Sequence, residues 1–193
     1  MDPAVLARII GTAFEPLEPC KYLVPDQGAR LAYMTRFFKL DVDDAREHGI
    51  VEVTGDHKGV ALWFPRTGQA PAPPDAEALR ALQAATGPYA PRFAEFERIL
   101  EEHHPGGRAH QYLMILGVDR PAQRTGRGSA LLAHRHAALD RDGVPAYLEA
   151  ASLALTSFYA RHGYVRTGRE IVLPDNRRMF PMWREPQSPA GAP

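Results

Sequence analysis

The stretch from Leu116 to His136 constrains this chain most. Tyr112 to Val118 is an apolar run with the length and residue types of a buried strand. Ser129 to Arg141 contains no Gly or Pro and reads as a helix. Between them lies Gln123-Arg124-Thr125-Gly126-Arg127-Gly128-Ser129. The order is strand, glycine-containing loop, helix. Two glycines one residue apart let the backbone turn tightly and approach a ligand without a Cβ in the way. The loop N–H groups then point outward at a helix start, where the macrodipole favours an anion. This is a cradle for a pyrophosphate, with Arg124 and Arg127 able to add charge at its rim. The alternative is a plain helix-capping turn, which does not require two glycines.

The phosphate can be narrowed. A nucleotide P-loop ends in Gly-Lys-Ser/Thr, whereas Arg127 here is followed by Gly128 and no Lys lies nearby. A dinucleotide fingerprint needs a third glycine, and Leu131 stands at that position. A second block follows some thirty residues on: Tyr147-Leu148-Glu149-Ala150, then Phe158-Tyr159-Ala160-Arg161-His162-Gly163-Tyr164.

Gln123-x-x-Gly126-x-Gly128 after a strand resembles the coenzyme A motif of the GNAT N-acetyltransferase superfamily. The Phe158-Tyr159 block resembles the other half of that signature. Within the superfamily the chain looks like the puromycin N-acetyltransferase group of bacterial enzymes. Val144-Pro145-Ala146-Tyr147-Leu148-Glu149 and Pro181-Met182-Trp183-Arg184 carry that nearer likeness. The resemblance implies an α/β (α+β) fold: a mixed, twisted sheet flanked by helices, with two central parallel strands that splay apart. It implies acetyl-CoA as acyl donor and a small-molecule amine as acceptor, an antibiotic or a biosynthetic intermediate. It also implies that the Val118 backbone pairs with the pantetheine arm and that the Leu116 N–H meets the thioester oxygen. A polypeptide acceptor, or a coenzyme-binding protein without turnover, are the rival readings. The second is kept alive by Ala154-Leu155, which stand where relatives carry Arg-Asn.

Two side chains are candidates for proton transfer. Tyr159 is a candidate general acid, since a phenol of ordinary pKa near 10 is protonated at neutral pH. Its bland alternative is a core aromatic beside Phe158. Glu149 is a candidate base in an otherwise apolar strand, where a carboxylate has a partner or a job. Its alternative is a structural ion pair. His110 could relay a proton or simply be exposed at the strand start. His103-His104 reads as a fraying helix end, Trp63 as core, and no Cys/His cluster supports a metal.

Composition sets bounds. The 193 residues, 45% of them hydrophobic, suit a single domain over residues 1–184 with a disordered tail over 185–193. Formal net charge is +0 and no basic stripe stands out, which argues against nucleic acid or an anionic membrane. One cysteine, Cys20, excludes an internal disulfide. No apolar run approaches a membrane span and the start lacks a signal peptide, so a cytoplasmic location is expected. A homodimer is compatible with these features.

The remaining elements follow from pattern. Asp2-Pro3 caps a helix whose Val5, Leu6, Ile9, Ile10 and Phe14 recur at helical spacing. Relatives carry a strand before it; here either the first strand is missing or the chain starts upstream of Met1. A loop is expected from Glu15 to Pro25 and a helix from Asp26 to Lys39. An antiparallel pair is expected at Ile50 to Thr54 and Val60 to Phe64. Helices are expected near Asp75 to Ala85 and Pro91 to His103, and a strand from His110 to Val118. In that strand Tyr112, Met114, Leu116 and Val118 should share one face, with Leu113 and Ile115 on the other. Ala146 to Ala150 should be the next strand and Thr156 to His162 a short helix. A final hairpin should join Val165 to Leu173 with Met179 to Arg184.

Overall fold

A seven-stranded mixed sheet divides two apolar clusters in the computed structural model, which describes residues 1–69 and 72–187. The strands are β1 (Ile50–Val53), β2 (Gly59–Arg66), β3 (His110–Val118), β4 (Ala146–Ala150), β5 (Val165–Arg166), β6 (Ile171–Val172) and β7 (Arg178–Arg184). Their order is β1-β2-β3-β4-β7-β5, with β6 also on β7. Only β3 and β4 run parallel; every other pair is antiparallel. Among the described residues no strand precedes the first helix, and β1 edges the sheet.

One face carries α1 (Pro3–Phe14), α2 (Glu18–Leu23), α3 (Gln27–His48), α4 (Ala76–Thr86) and α5 (Ala90–His103). The other carries α6 (Arg127–Asp142). Strand alternation sorts the sheet residues: Val60 and Leu62 join the first cluster, Ala61 and Trp63 the second. Trp63 is fully buried, as expected of a core residue. α7 (Leu153–Ala160) starts at a Ser152 cap and packs against β4 and β7.

Capping explains the first helices. Asp2 accepts from the Ala4 N–H at 2.8 Å, and Asp26 from the Gly28 N–H at 2.8 Å. Three expectations need correction. The Glu15 to Pro25 segment is not all loop: α2 forms inside it, with Pro19 in its first turn, where a missing N–H costs nothing. α3 does not stop at Lys39 but runs to His48, because Val42 and Ala45 extend its buried stripe. The last hairpin's first arm is broken into β5 and β6, both on β7.

The expected tail is placed as far as Gln187. Glu185 takes a bidentate bond from Arg108 at 2.7 and 2.8 Å, and the Gln187 N–H donates to Asp140 at 2.8 Å. Residues 188–193 lie outside the described residues.

β3 also differs from the simple alternation. Leu62 pairs with Ile115 and Trp63 with Leu113, so Met114 is an extra residue in β3. This β-bulge puts Met114 and Ile115 on the same face, against the first cluster, while Leu113 and Leu116 face the second.

Candidate active site

The bulge opens a gap in the sheet. β3 and β4 pair only through Gln111 with Ala146 and Tyr112 with Tyr147. Beyond Tyr112 they diverge, and Leu113, Met114, Leu116 and Val118 of β3 line a cleft of about 810 Å³. At its far end the Asp119 N–H donates to the Lys58 carbonyl on the β2 side. Alternation back from Asp119 turns the Leu116 and Val118 N–H groups to the opposite edge, toward the gap. The Gln111 N–H donates to Pro145 on that same edge. An odd separation between Gln111 and Leu116 is what a one-residue bulge requires. Gln123 closes part of this edge, since its Nε2 donates to the Val118 carbonyl at 3.0 Å. The Val118 backbone therefore offers its N–H, with its carbonyl held by Gln123.

The loop forms the cleft's end. Arg124 and Gly126 both have positive φ, +62° and +87°, and Gly126 caps α6. The first helical bond is from the Ala130 N–H to the Gly126 carbonyl. The Arg127, Gly128 and Ser129 N–H groups precede it, so the α-helix has no partner for them. The two glycines serve different ends. Gly126 supplies the left-handed conformation and has open space around it. Gly128 supplies room: a Cβ there would lie 3.4 Å from Phe158 and within 4 Å of Leu116 and Val118.

The rim residues are not equivalent. Arg127 is held by Asp56 from the β1–β2 turn, through Nε at 2.7 Å and Nη2, and by the Thr125 hydroxyl. The Arg127 guanidinium holds the Asp56 carboxyl far below its usual range. Thr125 in turn donates to the Ala122 carbonyl. Arg124 is exposed on the cleft wall. The Ser129 hydroxyl lies 3.0 Å from His162 Nε2.

Tyr159 lines the same cleft, its ring set against Phe158 and Tyr164. Desolvation by burial holds its hydroxyl above the usual phenol range, and among the described residues it has no hydrogen-bond partner. It therefore carries its proton at any working pH. Leu155 adds an apolar wall.

Glu149 sits on the opposite wall. Its side chain is 3% exposed, Oε2 accepts from the Tyr112 hydroxyl at 2.7 Å, and Oε1 has no hydrogen-bond partner. Burial first, and the Glu149 charge second, keep Tyr112 a protonated donor. His104 Nδ1 lies 3.8 Å from Glu149 Oε1. His104 Nε2 contacts His110 Nε2 at 2.9 Å, and His110 Nδ1 contacts the Arg108 carbonyl at 2.8 Å. Sequence reading missed this chain. His104 is not a frayed helix end but folds back under the sheet, and His110 is buried rather than exposed. Burial lowers the His110 pKa, which favours the neutral ring, and Arg66 Nε donates to His104 Nε2 at 3.2 Å. The signal was present in the alternation, since His110 and Tyr112 share one face of β3. His136, the other unexpected histidine, is structural. Burial pushes it down to about 3, and its Nε2 meets the Tyr164 hydroxyl at 3.1 Å.

Glu149 also borders a second cavity, about 100 Å³, between the sheet and α1, α3 and α5. The cavity and the cleft share Phe14, Leu17, Met114, Glu149 and Ala151. Among the described residues no group of His, Cys, Asp and Glu could hold a metal, and no helix is long and apolar enough to cross a membrane.

Comparison with known proteins bears on the fold. Residues 105–185 match the family model of the acetyltransferase (GNAT) domain. Similar solved structures include a protein described as histone acetyltransferase HPA2 and related acetyltransferase from Corynebacterium glutamicum. It is 26% identical with a TM-score of 0.64, over 96% of this chain and 92% of that one. Arylalkylamine N-acetyltransferase 2 from Aedes aegypti is 16% identical with a TM-score of 0.55, over 96% and 94%. A GCN5-related N-acetyltransferase from Rhodopseudomonas palustris is 16% identical with a TM-score of 0.52, over 95% and 89%. The mixed sheet flanked by helices is the GNAT acetyltransferase fold.

Proposed function

We propose that this chain is an N-acetyltransferase of the GNAT superfamily, moving an acetyl group from acetyl-CoA to the amine of a small molecule. One observation carries the reading. The gap beside β3 has unpaired backbone along one edge, an N–H cradle at its end, and Glu149 and Tyr159 on its walls.

The residues present fit the coenzyme. The Arg127, Gly128 and Ser129 N–H groups would hold the pyrophosphate, with Arg124 beside them, and the Val118 N–H would meet the pantetheine arm. When bound, acetyl-CoA supplies an acetyl thioester whose C–S bond is exchanged for an amide C–N bond. The Leu116 N–H would donate to charge on the acyl oxygen. Glu149, on the cleft wall, would take the proton from the acceptor nitrogen. Tyr112 holds the carboxylate's Oε2, and His104 stands behind it. Tyr159 holds the proton that the departing sulfur needs.

The cavity past Glu149 favours a small acceptor over a polypeptide. It is lined by buried side chains such as Met34, Phe38 and Cys20, and its volume admits a compact amine or the amine-bearing arm of a larger molecule. Burial pushes the Cys20 thiol up to about 12, so it lines the cavity as an apolar group. Kinship with puromycin-type enzymes is part of the proposal and rests on Val144 to Glu149 and Pro181 to Arg184.

The test is a pair of variants. Tyr159→Phe and Glu149→Gln should each bind CoA like the parent, with kcat lower by about 10²–10⁴. Parental kcat in both, with chemistry limiting the rate, would sink the proton-transfer assignment.

A further inference from the structure

The cavity beyond Glu149 is mostly apolar, with Phe14, Phe37, Phe38 and Phe96 on its walls. Besides Glu149, two carboxyl groups break that pattern, and neither borders the coenzyme cleft. Asp41 projects from α3 and Glu97 from α5. Asp41 is 8% exposed, and its Oδ2 is buried with no hydrogen-bond partner. Among the described residues no cation faces it: the charged groups that act on it are Glu97 and Asp44, both acidic. Lys39, the nearest lysine on α3, is taken by Asp43 at 2.6 Å. Glu97 stands at the exposed end of the cavity.

A buried carboxylate without a partner is costly, and a fold retains such a group where something else supplies the partner. Burial first, then the acidic neighbours Glu97 and Asp44, raise the Asp41 pKa, so the cavity holds a neutral carboxyl that an arriving cation would ionise. The same cavity is lined by Glu149, which also borders the cleft, whereas Asp41 and Glu97 do not. The cavity therefore has one carboxyl shared with the cleft, another that is not, and apolar walls.

We infer that this cavity is the acceptor subsite and that its occupant is a compact, apolar-bodied diamine, one nitrogen at Glu149 and a second, cationic nitrogen at Asp41. This rests on the acetyl-transfer reading for the role of Glu149, and on the cavity alone for the cation at Asp41. Aromatic walls suit the arrangement, since ring faces attract a cation as well as an alkyl body. Glu97, at the exposed end, would draw the cation in without being buried by it.

The test uses a series of α,ω-diaminoalkanes of increasing length and the matching monoamines. Calorimetric binding to the parent protein, without acetyl-CoA, should favour the best diamine over its monoamine by about 10- to 100-fold, the range for a hydrogen bond to a charged group. Asp41→Asn keeps shape and volume and should abolish that preference while leaving the melting temperature unchanged or higher. Equal binding of diamine and monoamine, no binding of either, or a preference that survives Asp41→Asn overturns the inference. Thiol release from acetyl-CoA with the same compounds separates the two readings. Release with monoamine and diamine alike, unaffected by Asp41→Asn, leaves acetyl transfer standing and removes the cation site. A diamine preference in binding with no release leaves the cation site standing and removes acetyl transfer.

Discussion

Substitution at the two loop glycines should separate backbone strain from blocked space. A Cβ on Gly126 meets nothing within 4 Å, but the residue's φ is +87°. Gly126→Ala should therefore cost stability by about 1–2 kcal/mol, the price of a left-handed L-residue. For a chain of this size that is a fall in Tm of roughly 2–8 °C. Gly128 is the reverse case. Its φ is not left-handed, and a Cβ makes ordinary contacts with Phe158, Leu116 and Val118 at 3.4–3.9 Å. Gly128→Ala should fold normally and bind CoA within about tenfold of the parent. Gly128→Val adds two methyl groups beyond that contact, into the space over the Gly128 and Ser129 N–H groups. Hydrogen bonds to a charged partner are each worth about 1.5–3 kcal/mol, so losing two costs about 3–6 kcal/mol. That is a Kd higher by about 10²–10⁴. Calorimetric titration with CoA reads the affinity, and thermal unfolding reads the fold. A folded Gly128→Val protein that binds CoA as tightly as the parent would refute the cradle.

Other consequences can be measured separately. Arg184 is 3% exposed and donates to Asp140 at 2.6 and 2.7 Å and to the His162 carbonyl at 3.1 Å, tying β7 to α6 and to the end of α7. Arg184→Ala removes the cation from Asp140 and the donor from the His162 carbonyl, and should destabilise by roughly 1.5–3 kcal/mol in thermal or urea unfolding. The Arg184 guanidinium also holds the Asp140 carboxyl below its ordinary 3.8. That stability is present above the unfolded pKa and is lost as pH falls through the lower folded value, so Arg184→Met should flatten the acid limb below about pH 4. Tyr112→Phe removes the donor to Glu149 Oε2 and should alter the pH dependence of kcat/KM, with CoA affinity unchanged in the same titration.

How much of this was legible in the sequence follows from how local each feature is. β3, the loop, α6 and β4 rest on short-range signals: apolar runs, two glycines and a break-free helix. Their boundaries hold to within about two residues. The bulge at Met114 is set by pairing with β2, and nothing in Leu113-Met114-Ile115 announces it. Asp41 and His104 were missed for a related reason. A polar residue in a helix or at its end reads as solvated unless the packing of distant elements is known, and both are buried by elements far away in the chain. Glu15 to Pro25 reads as loop, yet α2 forms within it because its first turn tolerates Pro19. Glu149 was singled out for its apolar strand. Its free Oε1 and its place between two cavities came only with the fold.

The central claim is that the cleft beside β3 transfers an acetyl group to an amine rather than merely holding a coenzyme. The direct measurement incubates the purified protein with acetyl-CoA and a panel of small amines, following free thiol and the mass of the amine together. Amine-dependent thiol release, matched one for one by N-acetylated product and abolished in Gly128→Val, is the predicted result. Tight CoA binding with no amine-dependent thiol release across the panel would contradict it.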